Sequence, residues 1–220
     1  MDQQSILSAI SIYAIPVLFA VTLHEVAHGR AALALGDRTA KTLGRLSLNP
    51  LAHVDLVGTI LMPAILVLLH SPILFGWAKP VPIDARNFQN PRRDMALVAA
   101  AGPLSNLAMA IGWTALYFFA DHGAFGHGLV HDWLRAMGAG GLIFNVLLAV
   151  FNLVPIPPLD GGRVLVGILP LGAARALARL EPFGLWIVIA LVMLSNETGI
   201  TLQPLVNWII GGIAAIFHLS

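Results

Sequence analysis

The chain has no cysteine, which excludes disulfides and thiolate metal sites and leaves His, Asp and Glu as the residues able to hold a metal. Charge is scarce as well: 12 Lys and Arg against 11 Asp and Glu in 220 residues, a formal net charge of +1. No basic run carries interleaved aromatics, so no nucleic-acid partner is expected. Nor is there an internal repeat, a low-complexity tract or a polar segment long enough to fold alone. What the chain has in excess is apolar surface: 58% hydrophobic and 10% charged residues, with a mean hydropathy of +0.84. Most of its surroundings must be lipid.

Apolar stretches run over 7–29, 54–75, 95–119, 138–158, 183–195 and 200–219. About 20 helical residues cross a bilayer core, and lipid leaves free backbone groups unsatisfied, so helices are the expected spanning elements. The expected fold is an all-α polytopic membrane protein of about five to six transmembrane helices. Gly36 to Val54 and Phe75 to Asn90 do not read as helix, and short membrane-associated β-strands are expected there, with Pro80 and Pro82 confined to edges. The first apolar stretch lacks a basic leader and a small-residue cleavage site, so it is expected to stay as a helix.

That stretch ends in His24-Glu25-Val26-Ala27-His28. Positions i and i+4 share a helix face, so both imidazoles can reach one metal, with Glu25 beside the metal's water. Zinc lowers the pKa of such a water to about 7, and a neighbouring carboxylate can take its proton during attack on a peptide carbonyl. A charged or metal-binding residue inside a membrane is functional by default because of its cost. A catalytic zinc site needs a third protein ligand. The candidate lies in Asn152-Leu153-Val154-Pro155-Ile156-Pro157-Pro158-Leu159-Asp160-Gly161-Gly162. Its prolines end the helix and its glycines loosen the chain, which exposes Asp160 on irregular backbone. Either Asp160 faces an internal cavity, or it is a solvated residue in an ordinary turn.

With both motifs in view, the sequence resembles the site-2 protease family of intramembrane metalloproteases. That family pairs H-E-x-x-H on one span with N-x-x-P-x-P-x-L-D-G on a later one, and Asn152, Pro155, Pro157, Asp160 and Gly161 fit the second pattern. Ala101-Gly102-Pro103-Leu104-Ser105-Asn106 is similar to the family's intervening G-P motif, and Phe75 to Ile83 resembles a segment of its small members. The resemblance covers residues 20 to 163. It implies one catalytic Zn2+ held by His24, His28 and Asp160, Glu25 as general base, and Asn152 and Asn106 as candidates for binding substrate or a developing oxyanion. It also implies a zinc endopeptidase that cleaves transmembrane protein substrates in the bilayer. Residues 1–220 then form a single protease domain, with a catalytic core at about 7–163 and an interfacial helix and spans at about 164–220. No PDZ-like or nucleotide-binding appendage is recognised.

A shared metal puts His28 and Asp160 at one membrane depth, so the chain between 49 and 93 must turn back, either as a re-entrant excursion or as a span with an extended return. Pro63, Pro72, Pro80 and Pro82 are expected to interrupt helix there. Arg30, Arg38, Lys41 and Arg45 precede this stretch and Lys79, Arg86, Arg92 and Arg93 follow it, which predicts a cytoplasmic position for both flanks. Arg163, Arg175 and Arg179 suggest an interfacial helix on the same side. The expected location is a bacterial or archaeal cell membrane, with the N-terminus outside and the metal nearer the cytoplasm. A helical substrate must unwind, and an edge strand in 36–54 or 75–83 could receive it.

Asp121, His122, His127, His131 and Asp132 read as a solvated loop, and His53, His70 and His218 as interfacial residues. The rival function is a divalent-metal transporter that uses the same His and Asp residues as a transit site. Glu25 discriminates between the two, because hydrolysis needs it and transit does not.

Overall fold

A computed structural model describes residues 3–68, 76–184, 186–190, 193 and 201–219. In chain order the main helices are α1 (Gln3–Ala34), α2 (Thr39–Thr42), α3 (Met62–Leu68), α4 (Pro91–Asp121), α5 (Leu129–Asn152), α6 (Asp160–Ile168) and α7 (Leu171–Ala178), followed by Gln203–Ile216. Three of them, Ser11–Ala34 within α1, α4 and α5, are long and apolar enough to cross a membrane. They are apolar all round, as lipid-immersed helices are. Leu18, Phe19, Leu104, Ile111, Ile143 and Leu147 point outward, while Ala20, Ala110, Val146 and Ala149 are buried between helices.

The long helix α4 is the centre of the fold, packing against α5 most extensively and also against α1 and α6. Two apolar clusters fasten this arrangement. Ala110, Leu142, Val146 and Val150 meet Val206 and Ile213 on one side of the α4–α5 pair. Ala32, Phe88 and Val98 join the end of α1 to the start of α4. At about 25 cal/mol per Å2 of buried apolar surface, such contacts add stability in soluble proteins; between lipid-bathed helices close packing replaces that term.

The expected β-strands are not present among the described residues, where the fold is all-helical. Residues 36–54 instead curl around the buried Asp37 carboxylate, which accepts hydrogen bonds from Thr39, Asp84 and Asn87. They contain α2 and a 3-10 turn at Pro50–His53. Residues 76–84 have no regular secondary structure, for a physical reason. Pro80 and Pro82 supply no N–H, and the neighbouring donors go to three different elements. Trp77 N donates to Gly58 O, Lys79 N to His53 O, and Val81 N to the side chain of Glu25. Phe75 itself lies outside the described residues.

The stretch from 49 to 93 does return on itself. A π-helix at Leu56–Leu61 leads into α3, and residues 77–79 come back alongside 53–59 through the bonds just named and one from Thr59 Oγ1 to Trp77 O. Helix continues past Pro63, contrary to expectation: Pro63 lies where the π-helix Leu56–Leu61 passes into α3, a junction at which the regular α-helical bonding pattern is already interrupted. Pro72 and His70 lie outside the described residues. His53 is buried rather than interfacial, and its Nε2 donates to Ser47 O.

Candidate metal centre

Two α1 imidazoles and one α6 carboxylate converge between the helices. His24 Nε2 lies 3.0 Å from His28 Nε2, and Asp160 Oδ2 lies 3.2 Å from the first and 3.3 Å from the second. All three side chains are buried. Among the described residues this is the group of His, Asp and Glu side chains placed to hold a metal ion. The loop bearing His122 and His127 is exposed at the far end of α4 and α5.

Each element reaches this point for a local reason. The i, i+4 spacing stacks His24 and His28 on one face of α1, with ring centroids 4.6 Å apart. Helix α5 stops at Asn152, the prolines turn the chain through 153–159, and Asp160 opens α6. Gly161 and Gly162 serve space rather than flexibility, since a Cβ on Gly161 would stand 2.2 Å from Leu153 O and one on Gly162 would stand 2.2 Å from Pro157 N. Gly102 does the same from α4, where a Cβ would meet His28 Nε2 at 2.4 Å and His24 Cε1 at 2.7 Å.

The outer nitrogens are also committed. His28 Nδ1 lies 2.7 Å from the Val98 carbonyl oxygen, an acceptor only, so this nitrogen carries the proton. Pro103 follows in the next turn and has no N–H to bond to the α4 carbonyl of Ala99. His24 Nδ1 lies 2.6 Å from Asn106 Oδ1. Both amide hydrogens of Asn106 are used, toward Ala20 O and Asn145 Oδ1. Asn106 is fully buried, so its amide has no donor left for a substrate oxygen.

With Nδ1 protonated on both rings, two Nε2 lone pairs and the carboxylate face one another with no hydrogen between them, and Asp160 Oδ2 is a buried acceptor without a donor. A cation resolves that arrangement. In tetrahedral zinc sites with Zn–N near 2.0–2.1 Å, ligand atoms are about 3.3–3.4 Å apart, close to the three separations here. The donor set of two imidazoles and a carboxylate, each imidazole donating outward to an oxygen, suits zinc.

Glu25 Oε2 accepts a hydrogen bond from Val81 N of the return segment at 2.9 Å. It lines a cavity of about 470 Å3 with His24, and the rest of the wall is largely apolar: Val21, Trp77, Leu148, Phe151 and Val188. Asn152 lines the same cavity and donates one amide hydrogen to Leu148 O. Sequence reasoning did not single out Asn145, the Val98 carbonyl or the Val81 amide. Only Asn145 carried a signal, as a lone amide within an apolar span.

A model of peptidase family M50 matches residues 126–195. The chain is 37% identical over 210 residues to "Putative zinc metalloprotease YwhC" of Bacillus subtilis, covering 91% of this chain and 88% of that protein. It is 30% identical over 179 residues to "Putative zinc metalloprotease Rip2" of Mycolicibacterium smegmatis, covering 80% of this chain and 64% of that one. The protein of the same name in Mycobacterium tuberculosis is 30% identical over 207 residues, covering 92% and 71%. No solved structure matches. The motifs, the zinc-compatible ligand set and the extent of these similarities lead to one conclusion: the chain belongs to peptidase family M50, the site-2 proteases, and is a membrane zinc metalloprotease.

Proposed function

We propose that this protein is an intramembrane endopeptidase that hydrolyses peptide bonds in or beside transmembrane segments of other proteins. The observation that carries this reading is the position of the buried ligand set: it adjoins an apolar cavity of about 470 Å3 that also holds Glu25. A substrate segment that enters there finds apolar walls for its side chains and a carboxylate beside its backbone.

In this reading His24, His28 and Asp160 hold zinc. Zinc, when bound, supplies Lewis-acid chemistry that polarises a carbonyl and acidifies water. Glu25 takes the proton from the attacking water at a carboxylate oxygen and passes it to the departing amine. The Val81 amide holds the other side of that carboxylate in place. Asn152 has a second amide hydrogen beyond the one given to Leu148, and it offers this donor to the substrate backbone. Asn106 acts by orienting His24.

Residues 1–220 act as one membrane domain of about five to six spans, in which the apolar helix Gln203–Ile216 adds to the three long helices. The N-terminus lies outside and the metal nearer the cytoplasmic face of a bacterial or archaeal membrane. The basic residues Arg38, Lys41, Arg45, Lys79, Arg86, Arg92 and Arg93 support this, lying between α1 and α4 or in the first turn of α4. The substrate has to leave its helix, since intact helical bonds shield the scissile carbonyl.

The test compares the full-length wild type with Glu25→Gln. Both should bind one zinc per chain, and only the wild type should cleave a model transmembrane substrate in proteoliposomes. Cleavage by the Glu25→Gln protein at more than a few per cent of the wild-type rate would refute the mechanism. The transporter reading predicts zinc flux into sealed vesicles instead, with no dependence on Glu25.

A further inference from the structure

We propose that Asn145, whose hydrogen bonds go to Asn106 and Gly141 and not to a metal ligand, is a positioning residue for the zinc site: through Asn106 it selects the tautomer of His24. This rests on the zinc-site reading above and adds a residue of α5 to the supports of that site.

Asn106 on α4 and Asn145 on α5 are both fully buried. Asn145 Nδ2 donates to Gly141 O at 2.9 Å, and its Oδ1 accepts from Asn106 Nδ2 at 3.0 Å. Asn106 Nδ2 also donates to Ala20 O at 3.1 Å, and its Oδ1 faces His24 Nδ1 at 2.6 Å. The chain of bonds therefore ends on two main-chain carbonyls, Gly141 and Ala20, and carbonyls only accept.

Those two ends give every bond its direction. Turning the Asn145 amide over would set its oxygen against Gly141 O and its NH2 against that of Asn106. Turning Asn106 over would set its oxygen against both Ala20 O and Asn145 Oδ1. Only the observed orientation satisfies all the groups, and it presents an oxygen to His24. Nδ1 must then hold the proton, and the Nε2 lone pair is left facing Asp160 and His28.

The reverse orientation of Asn106 would present NH2 to His24, move the ring proton to Nε2 and place it inside the ligand triangle. Asn145 supplies one of the two acceptors that forbid this. Without it, one buried Asn106 hydrogen has no partner and the preference is halved. His28 needs no such relay, because the Val98 carbonyl fixes it directly. The two imidazoles are thus pinned by different means, and only the His24 side depends on α5.

The test measures zinc affinity by chelator competition on the purified full chain in nanodiscs, together with thermal midpoints. Asn145→Leu, of similar volume, should weaken zinc binding about 10-fold to 100-fold, the usual cost of losing an outer partner of a ligand histidine. Asn145→Asp keeps an acceptor for Asn106 and, as a neutral acid, a donor for Gly141, so it should restore most of the affinity. Asn106→Leu with Asn145→Leu should bind zinc no worse than Asn106→Leu alone, because both act through one path. If Asn145→Leu does not fold, Asn145→Ala carries the same expectation. An Asn145 variant with a lower thermal midpoint but zinc affinity within twofold of wild type overturns the proposal, as does an additive double variant. Failure of the underlying site reading looks different: the wild type itself would hold no stoichiometric zinc.

Discussion

The main-chain amide of Val81 donates to Glu25 Oε2 at 2.9 Å, across 56 residues of sequence. The proposed base is thus held by the loop that returns from the 49–93 excursion, and not by its own helix. Pro80 and Pro82 flank that amide and limit the loop to few conformations. Arg45 fastens the loop from below, donating to Ala52 O, Lys79 O and Pro80 O at 2.6, 3.0 and 3.4 Å.

Removing that clamp should affect catalysis while sparing the metal. Arg45→Ala is expected to retain one zinc per chain and to lower kcat/KM about tenfold, since small misplacements of a catalytic group are costly. Metal analysis alongside initial rates on a transmembrane substrate checks this. Loss of zinc in step with activity would show that the loop supports the ligands instead.

Gly102→Ala should eliminate zinc binding. Its new Cβ would stand 2.4 Å from His28 Nε2, whereas the same change at Gly112, further along α4, meets nothing within 4 Å. Zinc content of the two purified variants decides the matter, with Gly112→Ala expected to match wild type.

Stripping zinc from the wild type with a strong chelator should lower the thermal midpoint and abolish hydrolysis, and zinc should restore both. A ligand that binds only the native state stabilises it by mass action, and here it also relieves three facing acceptors. An unchanged midpoint would mean that the three side chains are held apart by the fold alone.

Asp37 sets an acid limit on stability. Burial pushes its carboxyl up, but hydrogen bonds from the Thr39 hydroxyl, the Asp84 and Thr39 amides and the Asn87 side chain outweigh this and hold it below the usual value of 3.8. A depressed native pKa adds stability that is fully present above the unfolded value and is lost as pH falls through the native one. The wild-type midpoint should therefore be insensitive to Asp37 down to about pH 5 and decline below its unperturbed pKa of 3.8. Asp37→Ala should be destabilised by about 1–3 kcal/mol at neutral pH, through the buried donors it leaves behind. Denaturation curves at several pH values read both effects.

The sequence alone was enough to establish an apolar helical protein, the pairing of His24 with His28, and the candidacy of Asp160. These follow from composition, from a four-residue spacing on one helix and from prolines that must end another. Such signals are local or compositional, so no tertiary information is needed to read them. The strands expected at 36–54 and 75–90 were misjudged because non-helical composition does not say what the backbone donors will find. In the folded chain they find the Asp37 and Glu25 carboxylates and scattered carbonyls instead of a neighbouring strand. The tertiary structure alone decided which nitrogen of each histidine faces inward, that Gly102 makes room for both rings, and that Asn106 turns its oxygen to His24. Those outcomes depend on hydrogen-bond partners 39 to 86 residues apart. Their direction is fixed only when helices α1, α4 and α5 pack together and no water is left to substitute for a missing partner.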